Sequence, residues 1–177
     1  AWRLTRTDAS SHGETSCRQE FPGEFGLNIR DYTYLELKTT FLIDDQSLSE
    51  CGEQGSECPM MVRIDYYDQY ATDAKKDLRS WYSGFYYRFS PQYESWPPRC
   101  DSCLQDHRRI NQGVWYTFNS GNLLNTLPEM PVSIKRVIFY ASGHEYDVFV
   151  SEIALMAGIS EVVPPDVPLS ITPTPPL

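Results

Sequence analysis

The sequence predicts an all-β fold, an antiparallel β-sandwich with long cross-linked loops. Three observations carry that prediction. Apolar and polar residues alternate with a period of two from Tyr34 to Ile43 and again from Met60 to Tyr67. The stretch Ser80–Ser90 holds six aromatics and no proline, and aromatics favour the pleated, half-buried surface of a strand. No long segment repeats its apolar residues at helical spacing, so several short strands with turn signals between them are left to form the core.

Taken in order, residues 1–24 are polar and read as an irregular N-terminal segment, in which Trp2 and Leu4 mark a short edge strand. A β-sandwich domain is expected over 25–158. In its first strand Leu35, Leu37, Thr39, Phe41 and Ile43 share one face, and Glu36, Lys38 and Thr40 the other. Asp44 to Pro59 is a loop rich in Gly, Ser and Glu. In the next strand Val62, Ile64 and Tyr66 oppose Arg63, Asp65 and Tyr67. The charged stretch Asp68–Arg79 reads as an exposed connection into Ser80–Ser90, expected to be a central strand. There Trp81, Ser83, Phe85, Tyr87 and Phe89 form a core face. Tyr82, Gly84, Tyr86 and Arg88 form an amphipathic one, with Gly84 leaving a gap between two tyrosines.

Pro91–Asn111 is a long loop, a feature that is usually functional or cross-linked. Gly113–Asn119 reads as a strand and Ser120–Leu127 as one helical turn before Pro128. Ser133–Ala141 and Asp147–Met156 read as a hairpin turning at Ser142–Glu145, where Gly143 supplies a positive φ. Leu35, Leu37, Phe41, Val62, Ile64, Phe85, Val114, Phe118, Ile138, Val148 and Val150 are the expected core. Residues 159–177, with prolines from Pro164 onward, read as a linker or stalk of polyproline type leading to a further domain.

The chain has 177 residues, enough for one domain with a substantial core. A net charge of −9 and a pI near 4.7 argue against nucleic acid as a partner, because phosphate neutralisation needs Lys and Arg. No apolar run reaches the ~18 residues of a membrane helix, so this segment is not expected to insert in a membrane. The five cysteines point to an oxidising compartment. Cys51 and Cys58 flank a polar loop and are expected to form a local disulfide, worth about 2–3 kcal/mol on a loop-entropy argument. The protein is accordingly read as extracytoplasmic, secreted or at the cell surface.

Four pieces of sequence carry a resemblance to a known family. They are Cys51-Gly-Glu-Gln-Gly-Ser-Glu-Cys-Pro-Met-Met-Val-Arg-Ile-Asp-Tyr66, Trp81-Tyr-Ser-Gly-Phe-Tyr86, Cys100-Asp-Ser-Cys103 with His107, and Phe139–Leu155. Together they resemble a galactose-binding-like domain of jelly-roll fold. The resemblance is to modules of bacterial secreted or envelope proteins, of the kind associated with FecR-type domains. It implies a jelly roll and a carbohydrate-binding-module-like role, with sugar bound on an aromatic surface or in loops at one end. Fold alone does not fix function.

Several constellations bear on chemistry. Cys100-X-X-Cys103 with His107 reads either as a structural disulfide, Cys100–Cys103 or one of them with Cys17, or as part of a zinc site completed by Cys17 or Asp106. The disulfide reading is favoured in a secreted setting. His144-Glu145-Tyr146-Asp147 lacks the second histidine of a zinc protease, and no nucleophile elbow accompanies either His107 or His144, so no enzyme is expected. Asp44, Asp45, Asp65, Asp68 and Glu152 offer hard oxygen ligands for a structural Ca²⁺, without the spacing of a dedicated calcium loop; no other cofactor is expected.

The aromatic supply is the best functional signal. Tyr66, Tyr67, Tyr70, Tyr82, Tyr86, Tyr87, Trp96 and Trp115 exceed what one core can bury with every polar tip satisfied. Tyr82, Tyr86, Arg88 and Trp115 are the expected ligand-binding residues. The expected function is non-catalytic recognition of a carbohydrate or other cell-surface ligand. The alternative is an assembly module contacting another envelope protein. A concave aromatic groove edged by acids and amides favours the first, a flat apolar patch the second.

Overall fold

A computed structural model describes residues 1–7, 10–52, 55–71, 77–90 and 107–159. Among the described residues ten strands follow one another: β1 (Trp2–Arg6), β2 (Gly13–Glu20), β3 (Leu27–Asn28), β4 (Tyr34–Gln46), β5 (Met60–Asp68), β6 (Leu78–Tyr86), β7 (Arg108–Arg109), β8 (Tyr116–Asn119), β9 (Pro131–Gly143) and β10 (Tyr146–Gly158). They form an all-β sandwich. One sheet has the order β1-β10-β4-β8. The other runs β2-β9-β5-β6-β7, with β3 continuing the β2 edge against β9. All pairs are antiparallel except β6–β7. A 3-10 turn at Leu123–Asn125, capped by the Asn122 side chain, is the helical turn expected before Pro128.

The core lies between the sheets. Leu35, Leu37, Thr39, Phe41 and Ile43 of β4 are all buried on one face, as the alternation predicts. Trp81 and Phe85 of β6 reach across the interface: Phe85 meets Phe41 at 4.8 Å and Phe118 at 4.9 Å, and Trp81 stacks on Phe118 at 6.4 Å. Such aromatic contacts add to the stabilisation from burial itself.

Four expectations are corrected. First, β9 and β10 do not form a hairpin. They belong to opposite sheets, and Gly143, with φ 142°, stands where the chain crosses from one to the other. Second, Ile138 does not face the core; Val137 and Phe139 do. Register slips between Asp65–Arg136 and Tyr66–Ile134, so Lys135 is an extra residue in β9, and this bulge inverts the parity read from Ile134 onward. Third, Val114 is exposed, because β8 starts only at Tyr116. Fourth, β6 ends at Tyr86 and has only the two-residue β7 beyond it, so it is penultimate in its sheet rather than central.

The N-terminal segment is more ordered than its composition suggests. β1 is the expected edge strand, with Leu4 buried, and β2 is a second edge strand of eight residues. β2 shows no apolar face because it is exposed almost throughout. The charges of Arg18 and Glu20 are of the kind that discourage edge-to-edge pairing. The proline-rich tail beyond Ile159 lies outside the described residues.

Candidate functional sites

The Cys51–Cys58 disulfide is present and caps the outer face of the second sheet. Beneath it Met61 and Tyr86 are buried, with Tyr82 and Tyr140 packed alongside, as a small second core. Gly84 explains how the cap fits. A Cβ there would collide with Cys58 Sγ and lie 2.6 Å from His107 Nδ1, so only glycine leaves room for sulfur and imidazole. The gap between Tyr82 and Tyr86 is thus filled by the disulfide and by His107, whose Nε2 lies 2.7 Å from the Gly55 carbonyl. Burial raises the pKa of Tyr86 and, more strongly, of Tyr140.

Next to this cap lies a charged cluster. Asp65 is fully buried in its sheet and accepts from Arg63 Nε at 2.6 Å, from Ser80 Oγ at 2.5 Å and from Arg136 Nε. Burial alone would raise its pKa; the three donors outweigh it and hold the carboxyl below the usual carboxylate range. Arg63 also lies over the Tyr82 ring at 5.1 Å, a cation–π contact. Of the proposed Ca²⁺ ligands, Asp65 is engaged this way, Asp68 pairs with Arg79 at 2.9 Å, and Glu152 lies 3.6 Å from Lys38.

The four expected ligand residues do not form one surface. Tyr86 is buried under the disulfide, and Tyr82 is half-buried between Arg63 and its neighbours. Arg88 is exposed, but its Nη1 donates to the Gln46 and Ser47 carbonyls at 3.3 and 2.9 Å and so holds a loop. Trp115 is 49% exposed, in the approach to β8 of the other sheet. Of the cysteine–histidine motif, Cys100, Cys103 and Asp106 lie outside the described residues, as does Trp96. His107 is placed against Cys58, and Cys17 is an exposed thiol on β2.

A concave site does open at the end of the sandwich where β6 stops. A cleft of about 480 Å³ is lined by Tyr87, Arg109, Ile110, Asn111 and Gln112. Alternation places Tyr87 on the core face, and its half-buried ring does pack against the main core. The chain leaves the sheet at this point because the buried Gln46 side chain substitutes for a strand neighbour: its Oε1 accepts from Tyr87 N at 2.9 Å and from Arg88 N at 3.1 Å. The Tyr87 hydroxyl lies 3.3 Å from Asp45 Oδ1, and its pKa is raised by burial and by that carboxylate. Arg109 Nε donates to the Tyr87 carbonyl at 3.3 Å while its guanidinium covers Phe89 at 4.9 Å. Gln112 Nε2 donates to the Asp44 carbonyl at 2.7 Å, and Gly113 N to that of Ile43 at 2.9 Å, which ties this loop to the end of β4. Sequence reasoning missed the site because it is assembled from three chain segments, each unremarkable alone; the Asp44–Asp45 pair followed by Gln46 was the only local signal.

No family model, curated protein or solved structure matches the chain. The assignment of a function therefore rests on the geometry.

Proposed function

We propose that this protein is a non-catalytic, extracytoplasmic binding module that recognises a carbohydrate in the cleft lined by Tyr87, Arg109, Asn111 and Gln112. One observation carries the reading: Tyr87, Arg109, Asn111 and Gln112 line a single concave surface, and the Tyr87 hydroxyl meets the Asp45 carboxylate beside it. A sugar presents hydroxyls that both donate and accept, and apolar ring faces that pack on aromatics. Amide, carboxylate and guanidinium groups supply the polar partners, and Tyr87 the ring. The position at one end of a β-sandwich agrees with the loop sites implied by the galactose-binding-like resemblance. The disulfide supports an oxidising compartment, hence the secreted or cell-surface assignment.

The test is calorimetric titration of the whole chain with a panel of mono- and oligosaccharides, alongside Tyr87→Ala and Asn111→Ala. At least one sugar should bind, and each variant should weaken it by about tenfold or more, the loss of one good stacking or hydrogen-bonding contact. Binding that survives both substitutions but falls with Trp115→Ala would move the site. Absence of sugar binding together with capture of a defined envelope protein would favour the assembly reading instead.

A further inference from the structure

The imidazole of His107 and the two sulfurs of the cap form a buried group with the makings of a metal site. One ligand atom from each of Cys51, Cys58 and His107 lies within 4.8 Å of the others, and all three residues are buried. The ring's orientation is fixed. Nε2 faces the Gly55 carbonyl, which can only accept, so Nε2 carries the proton in the neutral ring. The lone pair then belongs to Nδ1, the nitrogen that lies over Gly84 beside Cys58 Sγ. A histidine whose outer nitrogen donates to a carbonyl while the inner one faces sulfur has the arrangement of a metal-bound histidine with its outer-shell partner.

We propose that, when the disulfide is reduced, Cys51, Cys58 and His107 bind copper(I) as a three-ligand site. The reduction cleaves the S–S bond with two electrons and two protons from a dithiol reductant, which is itself oxidised to a disulfide. Metal binding then displaces the two thiol protons. Two thiolates favour a soft cation, and the Met61 thioether borders the same cluster. Zinc(II) in a closed structural site takes four protein ligands, whereas copper(I) is satisfied by a lower coordination number, here two soft thiolates and one imidazole. The ion would tie the two ends of the cap loop to the sheet as the disulfide does, so the cap would persist in either redox state.

The experiment uses the full chain with Cys17→Ser, Cys100→Ser and Cys103→Ser, so that Cys51 and Cys58 are its only cysteines. A phosphine reduces it under anaerobic conditions and is removed. Copper(I) is then titrated against a chromophoric copper(I) chelator. The expected result is one copper(I) per reduced chain, none per oxidised chain, and an X-ray absorption spectrum with two sulfurs and one nitrogen around the metal. His107→Ala should weaken binding by more than about 100-fold, beyond the loss typical of an outer-shell partner. A sulfur-only coordination shell, or affinity unchanged in His107→Ala, would overturn the proposal, as would tighter retention of zinc(II) than of copper(I). The absorption measurement on the unsubstituted histidine decides the matter even if His107→Ala does not fold.

Discussion

β4 and β5 lie in opposite sheets and turn similar apolar faces to the same core, yet their outer faces have different fates. On β4, Lys38, Thr40 and Leu42 stay partly exposed, and Thr40 meets Thr117 across the strand at 3.0 Å. On β5, Met61, Asp65 and Tyr67 are buried too, as are the core residues between them. Three different covers do this: the disulfide cap lies over Met61, Arg63 and Arg136 close over Asp65, and Phe25 packs edge-on to Tyr67 at 5.2 Å. Alternation of polar and apolar residues thus describes the core-facing side of a strand, and says nothing about what will be folded over the other.

The sharpest way to break the contrast is at Asp65. Asp65→Asn keeps the shape but removes the charge shared by Arg63 and Arg136 and replaces one of its two acceptor oxygens with an amide NH2 that faces an arginine or Ser80 donor. We expect a loss of about 3 kcal/mol, the low end for breaking a buried pair because both arginines are partly exposed. Urea denaturation at neutral pH measures it. The same group makes the fold acid-sensitive. Its folded-state pKa is depressed, so its stabilisation is present above the unfolded value near 4 and is lost as pH falls through the folded one. Asp65→Asn should therefore flatten the acid limb of the stability curve, and an unchanged limb would mean that other carboxylates carry it.

How much of this was legible follows the same division. The inner faces of β4 and β5 were, and so was Trp81–Ser83–Phe85, because a core face needs only the local period of two. The disulfide was legible from a short polar loop between two cysteines. Ile138 was not, since the Lys135 bulge is set by pairing with β5 and leaves no mark in β9. Nor was β2, whose residues follow from edge position rather than burial. Tyr87 was legible as a core-side residue, but the end of the strand just before it was not: a side chain from another strand, Gln46, takes over the backbone hydrogen bonds of Tyr87 and Arg88. Tyr86 was read correctly as facing away from the core, and was covered by a loop distant in sequence.

The disulfide cap offers the next prediction. Cys51→Ser with Cys58→Ser should cost about 2–3 kcal/mol through loop entropy. Gly84→Ala should cost about 1–3 kcal/mol through overpacking against Cys58 Sγ and His107. The two should not add. Once the cap is unlinked it can rise to admit a methyl group, so a double-mutant cycle should show the combined variant less destabilised than the sum, by at least about 0.5 kcal/mol. Simple additivity would mean that the cap does not rest on Gly84.

On β4 the same kind of intervention should do little. Thr40 sits on the outer face, in contact with Thr117 and with no segment folded over it among the described residues. Thr40→Ala removes one half-exposed hydroxyl pair and a β-branched side chain from a strand, where water replaces the lost hydrogen bond. The expected cost is within about 0.5 kcal/mol, as for surface positions generally. It should also leave sugar binding unchanged, since Thr40 does not line the cleft. A loss above about 1.5 kcal/mol would reveal that this face too is covered, by a second copy or by a part of the chain outside the described residues. The concentration dependence of the melting temperature separates the two: a self-associating face melts higher at higher protein concentration, and an intramolecular cover does not.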